Sequence, residues 1–319
     1  MSSTPRESPN GSALERPDSR DVRRVKVGAA VVLYHPDLPL LVAQRDAVLD
    51  QVDEVLYVDN GMSAGDLAVL TQTGVGDPAR VSVVGDGVNV GLARGLNLAL
   101  AEAARRGWTH CLLLDQDSVP VRGMVDILRE GLATEGSVVA VGPAIQDELT
   151  GVVEDFARLR LPLNTRIRSA EADQPSFFDV DFLITSGTLI AMDLLDRAGF
   201  MDESLFIDCI DFDWSFRARS RGLRLLATFR TTLSHRRGDS VHALPGGGVL
   251  RVHSADRMYY MHRNRVRLYR RPYVPVAWKV HDVARLVVKL VLLTVFVPHR
   301  RARMVAALRG IRDGLAAGS

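Results

Sequence analysis

A mainly parallel α/β sheet with helices on both faces is the fold class the sequence predicts, extended at the C-terminus by a basic amphipathic helical region. Three observations carry this expectation. Apolar β-rich runs alternate with helical segments, polar residues follow each run, and the charge reverses sign after residue 250. Strict alternation of strand and helix builds parallel sheets, because each crossover lays its helix back on the sheet. The chain of 319 residues, 47% hydrophobic and 24% charged, suffices for one large core or two modest ones.

Taken in order, "VKVGAAVVLY" (Val25–Tyr34) predicts a strand, Leu38–Leu49 a helix and "EVLYVD" (Glu54–Asp59) a second strand. Asp66–Thr73 reads as a short helix and Val81–Val84 as a strand. Gly91–Arg106 follows as a helix closed by Gly107, then His110–Asp115 as a strand. Arg122–Thr134 predicts a further helix and Val138–Val141 a further strand. In such sheets ligands bind outside the carboxyl ends of the strands. Those ends carry Tyr34 and His35, Asp59 and Asn60, Gly85 to Asn89, and Asp115 to Asp117, all on one edge.

"LLLDQDSVP" (Leu112–Pro120) ends an apolar run in two carboxylates one residue apart. Like charges at the mouth of a core strand are costly unless a cation sits between them. Alternation sends Asp115 and Asp117 to the same side, and hard oxygen ligands suit Mg²⁺ or Mn²⁺ holding phosphate oxygens. The alternative is a turn pair with Ser118 and Pro120. Asp-x-Asp alone is a weak signal, since Asp179 with Asp181 and Asp211 with Asp213 repeat it. "GDGVNVGLARGLNLAL" (Gly85–Leu100) is a glycine-rich turn into a helix whose positive end could bind an anion.

Charge divides the chain. From Arg251 onward fifteen Arg and Lys face three Asp, a net of +12, and the first 250 residues carry −10. "LVVKLVLLTVFV" (Leu286–Val297) is too short for the ~20 residues of a membrane span. With Arg285, His299, Arg300, Arg301 and Arg303 around it, it reads as an interfacial helix on anionic lipid in preference to a buried helix with a basic rim. Nucleic acid explains the charge less well, because aromatic residues are sparsely interleaved. Two cysteines, Cys111 and Cys209, predict neither a disulfide framework nor a cysteine zinc site, and a reducing compartment. Residues 1–24, rich in Ser, Pro and Arg, read as a disordered leader, 25–250 as the α/β domain and 251–319 as the basic helical region.

The ordered segments "VVLYHP", "VDNG", "GVNVGLARGLN", "LLLDQDS", "FLITSGTLI", "LFIDCIDFDWSFRARSRG", "SHRRGDS" and "RMYYMHRNRVRLYRR" resemble family 2 glycosyltransferases of GT-A fold, most closely the bacterial rhamnosyltransferases of cell-surface polysaccharide assembly. The resemblance spans about Val25–Arg271. It implies inverting, metal-assisted transfer of a sugar from a nucleotide-sugar donor, with dTDP-L-rhamnose leading, to a saccharide or lipid-linked acceptor. The implied partners are the donor, the acceptor and the inner face of the membrane, with no nucleic acid and a homodimer compatible.

The resemblance also implies roles. Tyr34, His35, Asp59, Asn60, Asn89, Arg94, Asp115 and Gln116 fall in donor-binding stretches, with Asp117 and His235 as metal ligands. Asp211 matches the general base, although Ile210 stands where the family has Glu, which leaves Asp208 and Asp213 as competitors or helix caps. Ser186 and Gly187, in a "TSG" that ends a strand or makes a tight turn, and Asp208 lie on the acceptor side. Trp214 stacks on the acceptor or belongs to the core. Arg263 shares a helix face with Tyr260 and faces either the leaving diphosphate or lipid. Rival classes fit less well: Leu33–Pro39 holds neither the glycines of a dinucleotide fingerprint nor the basic loop of a nucleotidyltransferase. A non-catalytic nucleotide-sugar binder remains the other class.

Overall fold

A computed structural model describes residues 24–63, 65–66, 70, 78–148, 150–169, 175–235, 240–243, 249–252, 254–296 and 300–316. The leader, save Arg24, and most of the short helix expected over Asp66–Thr73 lie outside the described residues.

An eight-stranded sheet in the order β3-β2-β1-β4-β9-β5-β10-β8 forms the centre. Its first half is parallel: β1 (Val27–Leu33) pairs with β2 (Glu54–Asp59) and β4 (His110–Asp115), and β2 pairs with β3 (Val81–Val84). Every residue of β1 is buried, as a strand covered on both faces requires. α1 (Leu38–Leu49) covers one face, opened by Asp37, whose carboxylate accepts from the Leu40 amide at 3.3 Å. α2 (Leu92–Arg105) covers the other with Leu96, Ala99, Leu100 and Ala103. α3 (Met124–Leu132) returns to the α1 face.

The second half departs from simple alternation. β9 (Thr188–Ala191) runs antiparallel between β4 and β5 (Val138–Asp147), so the sheet is mostly parallel, as expected, with an antiparallel strand inserted. β5 continues six residues past the predicted Val141 because Pro143 sits where the pairing register with β10 (Arg224–His235) shifts between Thr228 and Thr232. A proline is tolerated at such an irregularity. β8 (Phe178–Asp179) closes the edge, and the hairpins β6–β7 (Phe156–Arg158, Thr165–Ile167) and β11–β12 (Ser240–Ala243, Val249–Val252) stand apart. "TSG" is a turn ahead of β9, not a strand end: Gly187 has φ +82°.

α4 (Leu195–Ala198) and α5 (Ile210–Ser220) pack on the α2 face. α6 (Ala255–Arg270) starts at Ser254, which caps the Arg257 amide at 3.3 Å. α7 (Val276–Phe296) begins in the core, where Trp278, 2% exposed, meets Phe212, Phe216 and Tyr269. Asp282 on α7 accepts from Arg265 Nε at 2.9 Å and from the Tyr269 hydroxyl at 2.6 Å. α8 (Arg300–Ala316) lies against α6 so closely that a Cβ on Gly310 would fall 2.3 Å from the Tyr259 carbonyl. The boundary expected at residue 250 therefore falls inside one packed body, since Leu268, Val274 and Trp278 belong to the same core as β4 and α2.

Candidate active site

The parallel strands deliver their carboxyl ends to one edge, and hydrogen bonds lock the loops that follow. Asp59 Oδ1 accepts from the amides of Gly61 (3.1 Å) and Met62 (2.9 Å), leaving Oδ2 toward Gly87. Asn60 and Asn89 join the β2 and β3 loops: Asn60 Nδ2 donates to Asn89 Oδ1 at 3.3 Å, Val90 N to Asn60 Oδ1 at 2.7 Å and Gly91 N to Asn89 Oδ1 at 3.0 Å. These amides shape the crevice wall through backbone. Gln116 does likewise for Tyr34, accepting from its amide at 2.8 Å and donating to its carbonyl at 3.0 Å. Tyr34 remains exposed with its ring edge-on to His35, which holds φ +46°.

Asp115 closes β4, supported from below. Its amide donates to Ser186 Oγ at 3.0 Å, and that hydroxyl donates to Ser118 Oγ at 2.9 Å. Ser186 is thus 2% exposed and braces Asp115, which corrects its expected contact with an acceptor. Gly187 is likewise interior, with a Cβ position only 2.8 Å from Leu233. Burial and the neighbouring charge of Asp117 push the Asp115 carboxyl up to about 7, and Arg257 works against that rise.

The second acidic stretch reaches the same crevice. Phe206, Asp208 and Cys209 all hold φ near +65°, a cluster of left-handed non-glycine residues before α5. Asn264, fully buried on α6, secures it by donating to the carbonyls of Leu205 (2.8 Å), Ile207 (2.7 Å) and Asp208 (2.9 Å). On the other side Gly91, at φ +87°, admits the Phe206 ring, which a Cβ there would meet at 2.4 Å. Phe206 stacks on Tyr260 at 4.7 Å.

The three competing aspartates acquire distinct surroundings. Asp213 is 0% exposed, bonded to Arg271 and, at 2.5 Å, to the Tyr273 hydroxyl, with Arg217 Nε 3.6 Å away. It is a core ion pair. Asp208 takes Arg257 Nε and Nη2, each at 3.2 Å. Neither caps α5, whose N-cap is Cys209 without a side-chain bond. Asp211 accepts the Phe212 amide at 2.9 Å, and burial, aided by the charges of Asp208 and Asp115, pushes its carboxyl up to about 6. The charge of Asp115 contributes to the rise at Asp211 although 96 residues separate them in the chain, and the loop before α5 meets the strand-end edge directly, the Ala93 amide at the start of α2 donating to the Phe206 carbonyl at 3.2 Å.

Other expected residues lie elsewhere. Trp214, 3% exposed, donates Nε1 to the Gly199 carbonyl at 2.8 Å and is core, so no ring face is left for a sugar. Arg263 turns back, its Nη2 donating to the Ser204 (2.8 Å) and Leu205 (3.0 Å) carbonyls. Arg94 stays exposed, 4.0 Å from Glu203. His235 closes β10, and its side chain lies outside the described residues. Arg257 and Asn264 were missed. The available signal was their spacing: Arg257, Tyr260 and Asn264 at i, i+3 and i+7 share the α6 face toward the strained loop.

No group of three or more His, Cys, Asp and Glu side chains converges as a ligand cage among the described residues. The paired carboxylates of Asp115 and Asp117 still fit a hard divalent cation, since burial first and the neighbouring Asp117 charge second hold Asp115 up near 7, a cost that a bound cation would relieve. Two carboxylates also leave coordination positions for ligand oxygens.

No protein-family model matches the chain. It is similar to the dTDP-rhamnosyl transferase RfbF of Shigella flexneri, 25% identical over 289 residues, which cover 89% of this chain and 95% of the relative. Among solved structures, the mannosyltransferase PcManGT from Pyrobaculum calidifontis in complex with GDP-Man and Mn²⁺ superposes with a TM-score of 0.54 at 15% identity, over 93% of this chain and 77% of that one. GalNAc-T7 with UDP, GalNAc and Mn²⁺ gives 0.58 at 13% identity, over 83% of this chain and 52% of that one. The chain therefore spans about half the length of GalNAc-T7. With a mixed, mostly parallel sheet flanked by helices and an acidic crevice at its strand ends, this protein is a glycosyltransferase of GT-A fold.

Proposed function

We propose that this glycosyltransferase is an inverting, metal-dependent rhamnosyltransferase. It moves L-rhamnose from dTDP-L-rhamnose to a hydroxyl of a saccharide carried on a polyprenyl diphosphate, in cell-envelope polysaccharide assembly. What supports this reading is the pair Asp115 and Asp117 at the end of β4, together with the packing of the loop that leads to Asp211, through Phe206, on the Gly91 turn at the strand-end edge. The length-wide similarity to RfbF supports the donor.

Asp211 takes the proton from the acceptor hydroxyl as its oxygen bonds to the anomeric carbon, and the bond to the diphosphate breaks on the opposite face. Held up to about 6, Asp211 is ionised at neutral pH yet basic enough to accept that proton. Asp59 and Tyr34 hold the base end of the donor, and Asn60, Asn89 and Gln116 fix the loops that carry them. Mg²⁺ or Mn²⁺ at Asp117, beside Asp115, supplies positive charge to the diphosphate oxygens.

The C-terminal region provides the membrane contact. On α7, Val276, Val280, Val283 and Val287 are exposed at helical spacing, and on α8 Val305, Leu308 and Leu315 are exposed among Arg301, Arg309 and Arg312. No helix among the described residues is long and apolar enough to cross a membrane. An apolar stripe with arginines beside it suits the inner, anionic membrane face, where a lipid-linked acceptor resides.

The test is nucleoside diphosphate release from a panel of nucleotide sugars, with and without Mn²⁺, in the presence of lipid-linked saccharide acceptors. Metal-dependent release from dTDP-L-rhamnose above the others supports the proposal. Preference for a UDP-sugar replaces the donor, and no turnover with any donor overturns the catalytic reading in favour of a binder.

A further inference from the structure

The proposed reaction leaves charge on a departing diphosphate, and the cation expected from the sequence, Arg263, is engaged elsewhere. Its Nη2 serves the Ser204 and Leu205 carbonyls, its Nε donates to Asn264 Oδ1 at 3.1 Å, and its guanidinium lies 4.8 Å over the Tyr260 ring. Those contacts hold the strained loop from outside. Arg94 is more than half exposed. Arg257 instead binds Asp208, two residues after the Phe206 that packs on the Gly91 turn of the donor-binding edge.

Its surroundings are built. Asp208 holds φ +65°, a conformation kept by Asn264 through the Asp208 carbonyl, so the loop aims that carboxylate at Arg257. The contact is shared rather than ideal, with Nε at 3.2 and 3.4 Å from the two oxygens and Nη2 at 3.2 Å. A guanidinium fork matches phosphate oxygens as well as carboxylate, and diphosphate carries more charge than one carboxylate.

We propose that Arg257 is the cation that receives the departing diphosphate, and that Asp208 holds it until a nucleoside diphosphate takes it over. The proposal rests on reading the crevice as a nucleotide-sugar site. Once released, the Asp208 carboxylate is available beside Asp211 to a hydroxyl of the acceptor.

Calorimetric titration of the full chain with dTDP and dTMP, and with UDP and UMP, in Mn²⁺ tests it. The quantity read is the preference for diphosphate over monophosphate. Arg257→Gln should cut that preference about tenfold or more. Asp208→Asn should tighten dTDP binding in the wild-type background and leave it unchanged in the Arg257→Gln background. An unaltered preference in Arg257→Gln, or equal tightening in both backgrounds, overturns the proposal, the latter because it would mark general relief of negative charge. Thermal melts check folding, and Arg257→Lys, which keeps the charge without the fork, should give an intermediate preference if the glutamine variant does not fold. Wild-type protein that binds neither diphosphate refutes the nucleotide-sugar reading itself, and the role of Arg257 with it.

Discussion

Three aspartates within six residues meet three fates, decided by distant partners and not by their spacing. Arg271 and Tyr273 bind Asp213 in the core, Arg257 engages Asp208, and Asp211 accepts only a backbone amide among the bonds described and is raised. Asp211→Asn should keep donor affinity while turnover falls about 10² to 10⁴-fold, measured by single-turnover assay beside donor titration. Because Asp211 must be ionised to accept a proton, kcat/KM of the wild type should rise with pH through about 6 and level off above it. Stability should move the opposite way. An acid raised in the folded state stabilises below its ordinary value near 3.8, and that stability is lost as pH rises through its folded value, about 7 for Asp115. Asp115→Asn should therefore melt a few degrees above wild type at pH 8, with the gain vanishing toward pH 4 in a melting series. Asp213→Asn should lower Tm at every pH near neutral, since it removes one of the two carboxylates, Asp213 and Asp202, that pair with the partly buried Arg271. Asp115 and Asp117 were legible in the sequence because they end an apolar run. The fates of the three later aspartates were not, because Arg257, Arg271 and Tyr273 arrive 49 to 60 residues downstream of their partners and no local pattern announces them.

At the scale of elements, the half of the sheet that follows strand-helix alternation was readable nearly residue by residue, from β1 through β4. Its helices were readable too, because α1 begins at a capping aspartate and α2 at a glycine. The insertion of β9 was not readable. A strand of four residues, three of them apolar, carries no direction, and antiparallel pairing there depends on which strands stand on either side. The loop before α5 shows the same dependence, since Asn264 on α6 holds it through the carbonyls of Leu205, Ile207 and Asp208, around its left-handed residues Phe206, Asp208 and Cys209. Asn264→Leu keeps the bulk and removes the donors, at a cost of about 1–3 kcal/mol for each carbonyl left buried without a partner. The expected result is a lowered Tm and a loss of turnover larger than the loss of donor affinity, because the donor loops hang from β1 to β4 and Asp211 from α5.

Across the whole molecule, the charge asymmetry read from the sequence survives, but its boundary does not. The basic region supplies core through Trp278 and ion pairing through Asp282 before it exposes apolar surface. A cut after Val274 would therefore damage the body, and the membrane contact is better tested by charge. Val280→Asp with Val287→Asp should weaken sedimentation with anionic vesicles several-fold while leaving Tm unchanged, because both side chains are about half exposed. Binding undiminished in the double variant would direct attention to α8. The place of Asn264 in the chain also bears on synthesis. The loop bearing Asp211 emerges from the ribosome some fifty residues before the helix that restrains it. On the proposed mechanism, a nascent polypeptide can pair β1 with β2 early yet stays without turnover until α6 has emerged to restrain the loop, so that unfinished chains spend no donor.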